Sequence, residues 1–357
     1  MKFKYTLSPN YHAKSSTHRI MYDVLFALLF VSVCAIVLQF YLYGIIGAIK
    51  AILIMAICVI TCNLVDFIWL KVHKVANKEV FNGIQTNVPI ITGLILALTL
   101  PIGDLDTYTI YYVAFIGSVV AELFGKMIYG GFGYNIFNPA GVGRAFVLVA
   151  FGKLLVIPTI DGLGSSSPLT ALQGAEGIQG ALSTFNNYTS LIFGVHQGAL
   201  GETVIASLII AAIYLIIRNV IDWVIPVFSI VTVALCALVY QLVGGSFDIN
   251  FILIHVLSGG LIFGAVFMMT DPVTNPVNRQ GKMIIAIIFG LLTFLIRSKA
   301  SLPEGVVFAI LICNMLVPMI DRFTANVTDE HVNKKVLSVA IVLIVALVVS
   351  ALFYFVA

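Results

Sequence analysis

Hydroxyl side chains are concentrated in one polar stretch, Asp161 to Ala175, with the sequence DGLGSSSPLTALQGA. The hydroxyls belong to Ser165, Ser166, Ser167 and Thr170. Structureless loops longer than about 12–15 residues are usually functional or disordered. A serine run alone is most often only a loop, and a hydrolase site lacks support because no GxSxG motif is present and His196 is the only nearby histidine. The stretch is therefore a candidate site for hydroxyl chemistry, and its residues alone name no cofactor.

The composition places this stretch inside a membrane protein. Hydrophobic residues make up 61% of the 357 residues and charged residues 10%, whereas soluble proteins have an apolar share of about 45–50%. The net charge of +3 is small and the basic residues are spread over several loops, so we expect no nucleic-acid partner. The five cysteines stand in apolar runs without metal-ligand spacing, so we expect no metal site.

The apolar runs predict an all-α, polytopic membrane protein. A helix needs about 20 apolar residues to cross the bilayer. Eleven runs approach or reach that length, and they are residues 22–41, 45–70, 88–102, 108–127, 140–157, 201–217, 220–243, 251–269, 282–297, 305–320 and 336–356. We expect about ten transmembrane helices, with the last run as a possible extra one.

The basic residues predict the orientation, because cytoplasmic loops are enriched in Lys and Arg. If every run spans the membrane, the basic residues of the N-terminal segment and of every second loop lie on the same side of it. Arg297 and Lys299 are the exceptions to this pattern. The loop 158–200 contains no Lys or Arg. We therefore predict a cytoplasmic N-terminal segment (residues 1–21) and an extracytoplasmic loop (residues 158–200).

An internal repeat is indicated by the order of similar segments. ITGLILALTLP (91–101) followed by NPAGVGRAFVLVAF (138–151) resembles GGLIFGAVFMMTDP (259–272) followed by LPEGVVFAILICN (302–314). We predict two five-helix membrane repeats, residues 22–157 and 201–322, with residues 323–357 as an appended helix. Because five is odd, the two repeats would be inverted, and binding sites of such proteins form at the repeat interface.

Two amides precede a helix break in the first repeat. Asn135 and Asn138 stand beside the break that Pro139 enforces. An amide at membrane depth must find a hydrogen-bond partner, and it offers both donors and acceptors to a planar heterocycle. Ligand contact and helix packing both satisfy that requirement.

Three carboxylates are candidates for an ion pathway, because ionisable residues inside membrane spans are functional hypotheses by default. Asp66 lies within an apolar run. Asp271 could equally cap the next segment or pair with Arg279. Asp321 could be an interfacial partner of the adjacent Arg322.

Four ordered motifs resemble the D subunit of Rnf ion-translocating electron-transport complexes and its relative, the B subunit of sodium-pumping NADH:quinone reductase. They are LSPNYHAKSSTHRIMYDVLFAL (7–28), NIFNPAGVGRAF (135–146), FMMTDPVTNPV (267–277) and PEGVVFAILICNMLVPMIDRF (303–323). The opening motif and the short chain favour the Rnf type.

The resemblance implies an FMN attached through its phosphate to a hydroxyl residue in a motif like D-G-x-S-G-A-T-P-L. DGLGSSSPL aligns with it without a gap, and Ser167 falls on the attachment position, where Thr is usual. A competing register places the FMN on Thr170. The family further implies a non-covalent riboflavin, for which we assign Asn135 and Asn138, and a separate flavin transferase.

The expected function is that of a subunit in the plasma membrane of a prokaryote. Together with other membrane and peripheral subunits, it would relay electrons between ferredoxin and NAD, coupled to Na⁺ or H⁺ movement. The flavins carry the redox chemistry, so we assign no catalytic side chain. The alternatives are the quinone-reductase subunit and, from another class, a secondary transporter, since inverted repeats with broken helices are typical of that class.

Overall fold

The computed structural model of the chain describes residues 16–102, 107–155, 168–172, 177–183, 188–194, 198–245, 247–299, 305–325 and 332–355. Within these ranges every regular element is a helix, and the only strand-like feature is an isolated bridge between Pro101 and Ala199. The prediction of an all-α protein is confirmed.

The helices follow the apolar runs. They are α1 (Thr17–Val72), α2 (Asn77–Asn87), α3 (Pro89–Thr99), α4 (Thr107–Gly125), α5 (Pro139–Phe151), α6 (Pro168–Leu172), α7 (Gly177–Ser183), α8 (Tyr188–Phe193), α9 (Ile205–Ile217), α10 (Val224–Val243), α11 (Ile249–Leu257), α12 (Leu261–Phe263), α13 (Arg279–Lys299), α14 (Gly305–Thr324) and α15 (Val332–Phe355). A π-helical turn, Gly264–Met268, continues α12. Each of the eleven predicted runs therefore coincides with helix.

Six of the described helices are long and apolar enough to cross a membrane, and up to eight spans result if each of two bent helix pairs counts as one. That count takes α1 as one helix of 56 residues, although Gly44 interrupts it with a φ of 66° and a ψ of −157°. L side chains rarely adopt such a conformation. The predicted separation of runs 22–41 and 45–70 is thus confirmed, and the chain is a polytopic membrane protein.

The two bent pairs occupy corresponding places in the two predicted repeats. α2 meets α3 at Val88 with a bend of 40°, and α11 meets α12 with a bend of 49°. Gly259 and Gly260 supply the second bend with φ values of 69° and 71°. The two segments whose sequences are similar, 91–101 and 259–272, therefore begin at or just after a break. This agreement supports the pairing of the halves, and their inversion stays a prediction.

One predicted run is shorter as a helix than expected. The run 140–157 forms α5, which has 13 residues, and a 3-10 turn, Gly152–Leu155. α5 packs closely on α4, since a Cβ on Gly143 would lie 2.7 Å from the carbonyl oxygen of Gly117. Small residues at helix contacts in membranes allow such close approach of backbones.

α3 connects two ends of the molecule. Val88, just before α3, lies beside the start of α1 and the segments that follow α4, α9 and the π turn. At the other end, the Leu98 and Leu100 carbonyls accept hydrogen bonds from the amides of Gly201 (2.7 Å) and Leu200 (3.1 Å). The loops predicted to share a side therefore do lie together, and which end faces the cytoplasm stays a prediction.

Candidate functional site

A cavity opens at the end of the molecule where α3 begins. Ligand pockets combine apolar walls with a few polar groups. The apolar wall comes mainly from α1, α3, the segment after α9, and the π turn; it includes Met21, Val24, Ile91, Ile95, Leu215, Ile221, Val266 and Phe267. The polar groups are those of Asn87, Lys126, Asn135, Asn138, Thr270 and Asp271. The cavity therefore has the lining of a site for a small organic molecule.

A glycine-rich turn after α4 forms one side of the cavity. Gly130, Gly131 and Gly133 all have positive φ. A Cβ on Gly131 would lie 2.9 Å from the amide oxygen of Asn87, and that oxygen accepts a hydrogen bond from the Phe132 N–H (3.3 Å). The turn can approach Asn87 closely only because it lacks side chains at this point.

Asn138 joins the two halves of the chain at the cavity. Its side-chain oxygen caps α5 by accepting from the Gly141 N–H (3.1 Å), and its amide nitrogen donates to the Met268 carbonyl (3.2 Å). Its backbone N–H donates to the side-chain oxygen of Asn314 (3.0 Å), and Asn314 donates to the Thr274 carbonyl (3.2 Å). The break at Pro139 is therefore held by residues of the second half.

Asn135 lines the same cavity and has one side-chain acceptor without a partner among the described residues. Its amide nitrogen donates to the Phe137 carbonyl (3.0 Å). Its side-chain oxygen is buried and finds no hydrogen-bond donor in the described part of the chain. Buried polar atoms nearly always have a partner, so this oxygen is available to a donor outside the described residues.

Charged groups lie along and behind one wall of the cavity. The Lys126 ammonium lies 2.7 Å from a carboxylate oxygen of Glu122, and the two side chains are 2% and 0% exposed. Asp66 is also fully buried and accepts a hydrogen bond from Asn87 (2.8 Å). The second carboxylate oxygens of Asp66 and Glu122 have no hydrogen-bond partner among the residues described.

The other two candidate carboxylates make structural bonds. Asp271 lines the cavity and accepts hydrogen bonds from the Val273 N–H and the Thr274 hydroxyl, both at 3.3 Å. It therefore caps the turn after the π segment, while Arg279 packs on the Trp223 ring (5.4 Å). The interfacial pair of Asp321 with Arg322 is not formed. Asp321 accepts instead from the Val277 N–H (3.0 Å), because α14 packs against the loop that follows the π turn.

Comparison with known proteins decides the family. The sequence profile described as the NQR2, RnfD, RnfE family matches residues 4–330, which is most of the chain. The chain belongs to this family. The resemblance inferred from the four motifs is confirmed.

Three relatives match along nearly their whole length, and each is named as the D subunit of its complex. The D subunit of the Na⁺-translocating ferredoxin:NAD⁺ oxidoreductase complex of Acetobacterium woodii is 34% identical to this chain. The match covers 89% of this chain and 92% of that protein. The D subunit of the proton-translocating ferredoxin:NAD⁺ oxidoreductase complex of Clostridium ljungdahlii is 33% identical to this chain. The match covers 91% of this chain and 95% of that protein. The D subunit of the ion-translocating oxidoreductase complex of Escherichia coli (strain K12 / DH10B) is 29% identical to this chain. The match covers 91% of this chain and 97% of that protein.

The NQR2, RnfD, RnfE match includes every residue of the cavity and stops at residue 330, before α15. Among the predicted site residues, Asn135, Asn138 and Asp271 line the cavity together. Asp66 is joined to the cavity through Asn87. Asp321 does not line it.

Of the two predicted flavin-attachment residues, only Thr170 is in part described, and it lies at the opposite end of the molecule. Ser167 lies outside the described residues, and of Thr170 only the backbone, in α6, is described. The neighbouring Leu169 is 1% exposed and packs at the second helix break, 2.9 Å from where a Cβ on Gly259 would lie. A second cavity there, of about 330 Å³, contains Gly259 together with Thr99, near the end of α3.

Sequence reasoning missed two pairs of charged residues, of which only Lys126 lines the first cavity. Glu122 and Lys126 are spaced i, i+4 near the end of an apolar run, and this spacing on a helix is a signal of an ion pair. Asp23 accepts hydrogen bonds from Tyr214 (3.0 Å) and Arg218 (3.2 Å) and thereby fixes the start of α1 against α9. The Asp23 carboxylate raises the pKa of the Arg218 guanidinium. No local pattern connects Asp23 with Arg218, which is 195 residues away.

Proposed function

We propose that the chain is the D-type membrane subunit of an Rnf-type, ion-translocating ferredoxin:NAD oxidoreductase complex, and that it relays electrons through two flavins. The full-length relatives, all named as D subunits, support the complex and the presence of further subunits as partners. They favour the Rnf type over the quinone-reductase type.

The first cavity is the proposed riboflavin site. The observation that carries this assignment is the Asn135 side-chain oxygen, which is buried at the cavity wall without a donor among the described residues. The isoalloxazine ring of a flavin is flat and apolar on its faces and carries one imide N–H on its edge. The apolar walls fit the faces, and Asn135 fits the N–H. Bound flavin would supply one-electron and two-electron redox chemistry.

The residues of the chain then have separate roles. Asn135 would accept the hydrogen bond that orients the ring. Asn138 holds the turn in place through its bonds to Gly141 and Met268. Ile91 and Val266 line the cavity and would help to exclude water, which strengthens electrostatic interactions inside the site.

Covalent FMN is proposed at Ser167, with Thr170 as the alternative. The gap-free alignment of DGLGSSSPL with the flavin-attachment motif supports Ser167. The burial of Leu169 at the second helix break gives the adjacent segment a fixed anchor. A flavin transferase acting outside the cytoplasm would make the bond, so we propose that this end of the molecule is extracytoplasmic.

In-gel fluorescence tests the attachment site. The chain is expressed together with a flavin transferase, denatured, and viewed under ultraviolet light. We expect a fluorescent band that is lost in Ser167→Ala and kept in Thr170→Ala. The reverse result would move the FMN to Thr170, and a dark wild-type band would refute covalent attachment.

Acid extraction tests the riboflavin site. Acid denaturation of the purified complex releases non-covalent flavin, which chromatography then quantifies. We expect Asn135→Leu to reduce riboflavin occupancy at least tenfold and to leave the covalent FMN unchanged. Ile136→Ala is the matched control, because Ile136 is the next residue and its side chain is 50% exposed. Equal riboflavin in the two variants would remove Asn135 from the site.

Ion coupling is proposed to involve Asp66 foremost, because its buried carboxylate keeps one oxygen without a hydrogen-bond partner in the described structure. Asp271 and Asp321 remain candidates, although both already accept structural hydrogen bonds. We expect Asp66→Asn to lower ion-dependent turnover while both flavins are retained. Unchanged turnover would exclude Asp66 from the pathway.

The two bent helix pairs also favour a second candidate function, a secondary transporter, since such proteins bind substrates at broken helices. The extraction and gel experiments separate the two functions. A protein that is purified from a flavin-replete cell and carries neither flavin would support the transporter.

A further inference from the structure

The buried pair of Glu122 and Lys126 is not explained by stability. Taking both charges out of water costs several kcal/mol per ion, and apolar residues of the same volume often serve a fold equally well. Nevertheless, Lys126 is 2% exposed and Glu122 is 0% exposed, in an otherwise apolar helix end. Such a pair therefore calls for a functional reason.

The position of Lys126 supplies that reason. Lys126 lines the first cavity, whereas Glu122 is not among its lining residues. Lys126 therefore borders the space that a ligand would occupy, and its ammonium is paired with a carboxylate that does not border it. Asp66 and Asp271 also interact electrostatically with Lys126. Among the described residues, one ammonium and these three carboxyl groups therefore set the charge on this side of the cavity.

We propose that Lys126 sets the reduction potential of the flavin bound in this cavity, and that Glu122 is the positioning residue that holds the ammonium and moderates its charge. This inference rests on the proposed function, because it takes the cavity as the riboflavin site. A flavin that accepts an electron without taking up a proton gains a negative charge, so a nearby ammonium would stabilise that reduced form more strongly than the oxidised form. The effect is large where water is excluded and the local dielectric constant is low.

Lys126 and Glu122 therefore have opposite effects on the reduction potential of the riboflavin. Lys126→Met removes the positive charge and lowers the potential of the riboflavin. Glu122→Gln removes the negative charge behind the ammonium and raises the potential. A role of the pair in folding alone predicts no such opposition of sign.

Spectroelectrochemical titration of the purified complex measures both effects. We expect each variant to change the ratio of reduced to oxidised riboflavin at a given potential at least tenfold, which corresponds to about 59 mV for a one-electron couple. The covalent FMN is an internal reference and is expected to keep its wild-type potential, because Leu169, the described residue near its proposed attachment site, lies at the other end of the molecule. Lys71→Met is the control for loss of a lysine, since Lys71 is exposed.

A conservative variant keeps the test decisive if Lys126→Met fails to fold or to retain flavin. Lys126→Arg preserves the positive charge and is expected to keep the wild-type potential, whereas Glu122→Gln is nearly isosteric and is expected to raise it. Potentials that shift in the same direction in Lys126→Met and Glu122→Gln, or that do not shift in Glu122→Gln, overturn the proposal.

The outcome also separates this inference from the function on which it rests. A wild-type complex that releases no non-covalent flavin on acid denaturation refutes the riboflavin site itself. Normal riboflavin content with an unchanged potential in Glu122→Gln leaves that site standing and refutes the role of the ion pair.

Discussion

Asn314 is the residue through which the second half of the chain holds the helix break of the first. It lies in α14, it is 2% exposed, and it bonds to the Asn138 N–H and the Thr274 carbonyl. Asn314→Ala leaves both of these buried backbone groups without a partner. Each such group costs about 1–3 kcal/mol, so the variant is expected to lose roughly 2–6 kcal/mol of the free energy of unfolding.

Thermal unfolding in detergent measures this loss with a thiol-reactive fluorescent dye. Four cysteines are buried in the folded chain and become reactive when it unfolds; they are Cys58, Cys62, Cys236 and Cys313. At about 2 °C per kcal/mol for a large domain, the Tm of Asn314→Ala is expected to fall by at least ~4 °C. Riboflavin occupancy is expected to fall as well, because the turn with Asn135 loses its support.

Met315→Ala is the matched control for this prediction. Met315 is the next residue of α14 and is 64% exposed. Exposed substitutions usually change stability by less than about 0.5 kcal/mol, so its Tm is expected to stay within ~1 °C of the wild-type value. If Asn314→Ala and Met315→Ala unfold at the same temperature, the hydrogen bonds between the halves do not stabilise the break, and the reasoning is refuted.

Three further substitutions are tested by the same dye assay. Arg297→Ala removes a guanidinium that donates to three carbonyls, two of them buried and that of Gly259 half-buried, so it is expected to cost roughly 3 kcal/mol or more; a wild-type Tm in Arg297→Lys would show that the several donors of the guanidinium are unimportant. Gly143→Ala inserts a methyl group 2.6 Å from the Ala121 Cβ and is expected to cost about 1–3 kcal/mol by forcing α4 and α5 apart. Gly44→Ala meets no atom within 4 Å but strains the backbone by about 1–3 kcal/mol; a wild-type Tm would show that the break tolerates a side chain.

Much of the fold could be predicted because the bilayer leaves few alternatives. Backbone groups at membrane depth must be satisfied within a helix, so each long apolar run becomes helical. Gly44 falls between two such runs, and the structure breaks α1 there. The length of α5 was predicted incorrectly, because the apolar run continues past Phe151 while the helix does not. Apolarity alone does not mark that end.

The candidate site was predictable only in part. The break at Pro139 and the amides beside it could be recognised, since proline and buried amides act locally. The partner of Asn138 could not, because Asn314 is 176 residues away and nothing in either segment specifies their contact. The same limit applies to the cavity, whose wall is assembled from distant parts of the chain.

Arg297 shows how the structure resolves an exception in the sequence. In the sequence, Arg297 is a basic residue on the side where the loops carry few basic residues. In the structure it is buried within α13 and does not belong to a loop. Its guanidinium donates to the carbonyls of His255, Ser258 and Gly259, where α11 ends at the second helix break. The orientation inferred from the other basic residues is therefore not weakened by Arg297.

The same contact bears on the choice between an electron carrier and a transporter. In transporters with broken helices, the free carbonyls at the end of a half-helix bind the coupling cation. At the end of α11, a permanently charged guanidinium already occupies those carbonyls and complements the helix dipole. A second cation at this break would meet a fixed positive charge of like sign. The second break is therefore suited to hold its backbone in place, and an ion that crossed this subunit would need other ligands. Among the described carboxylates, Asp66 and Glu122 each keep a buried oxygen without a hydrogen-bond partner.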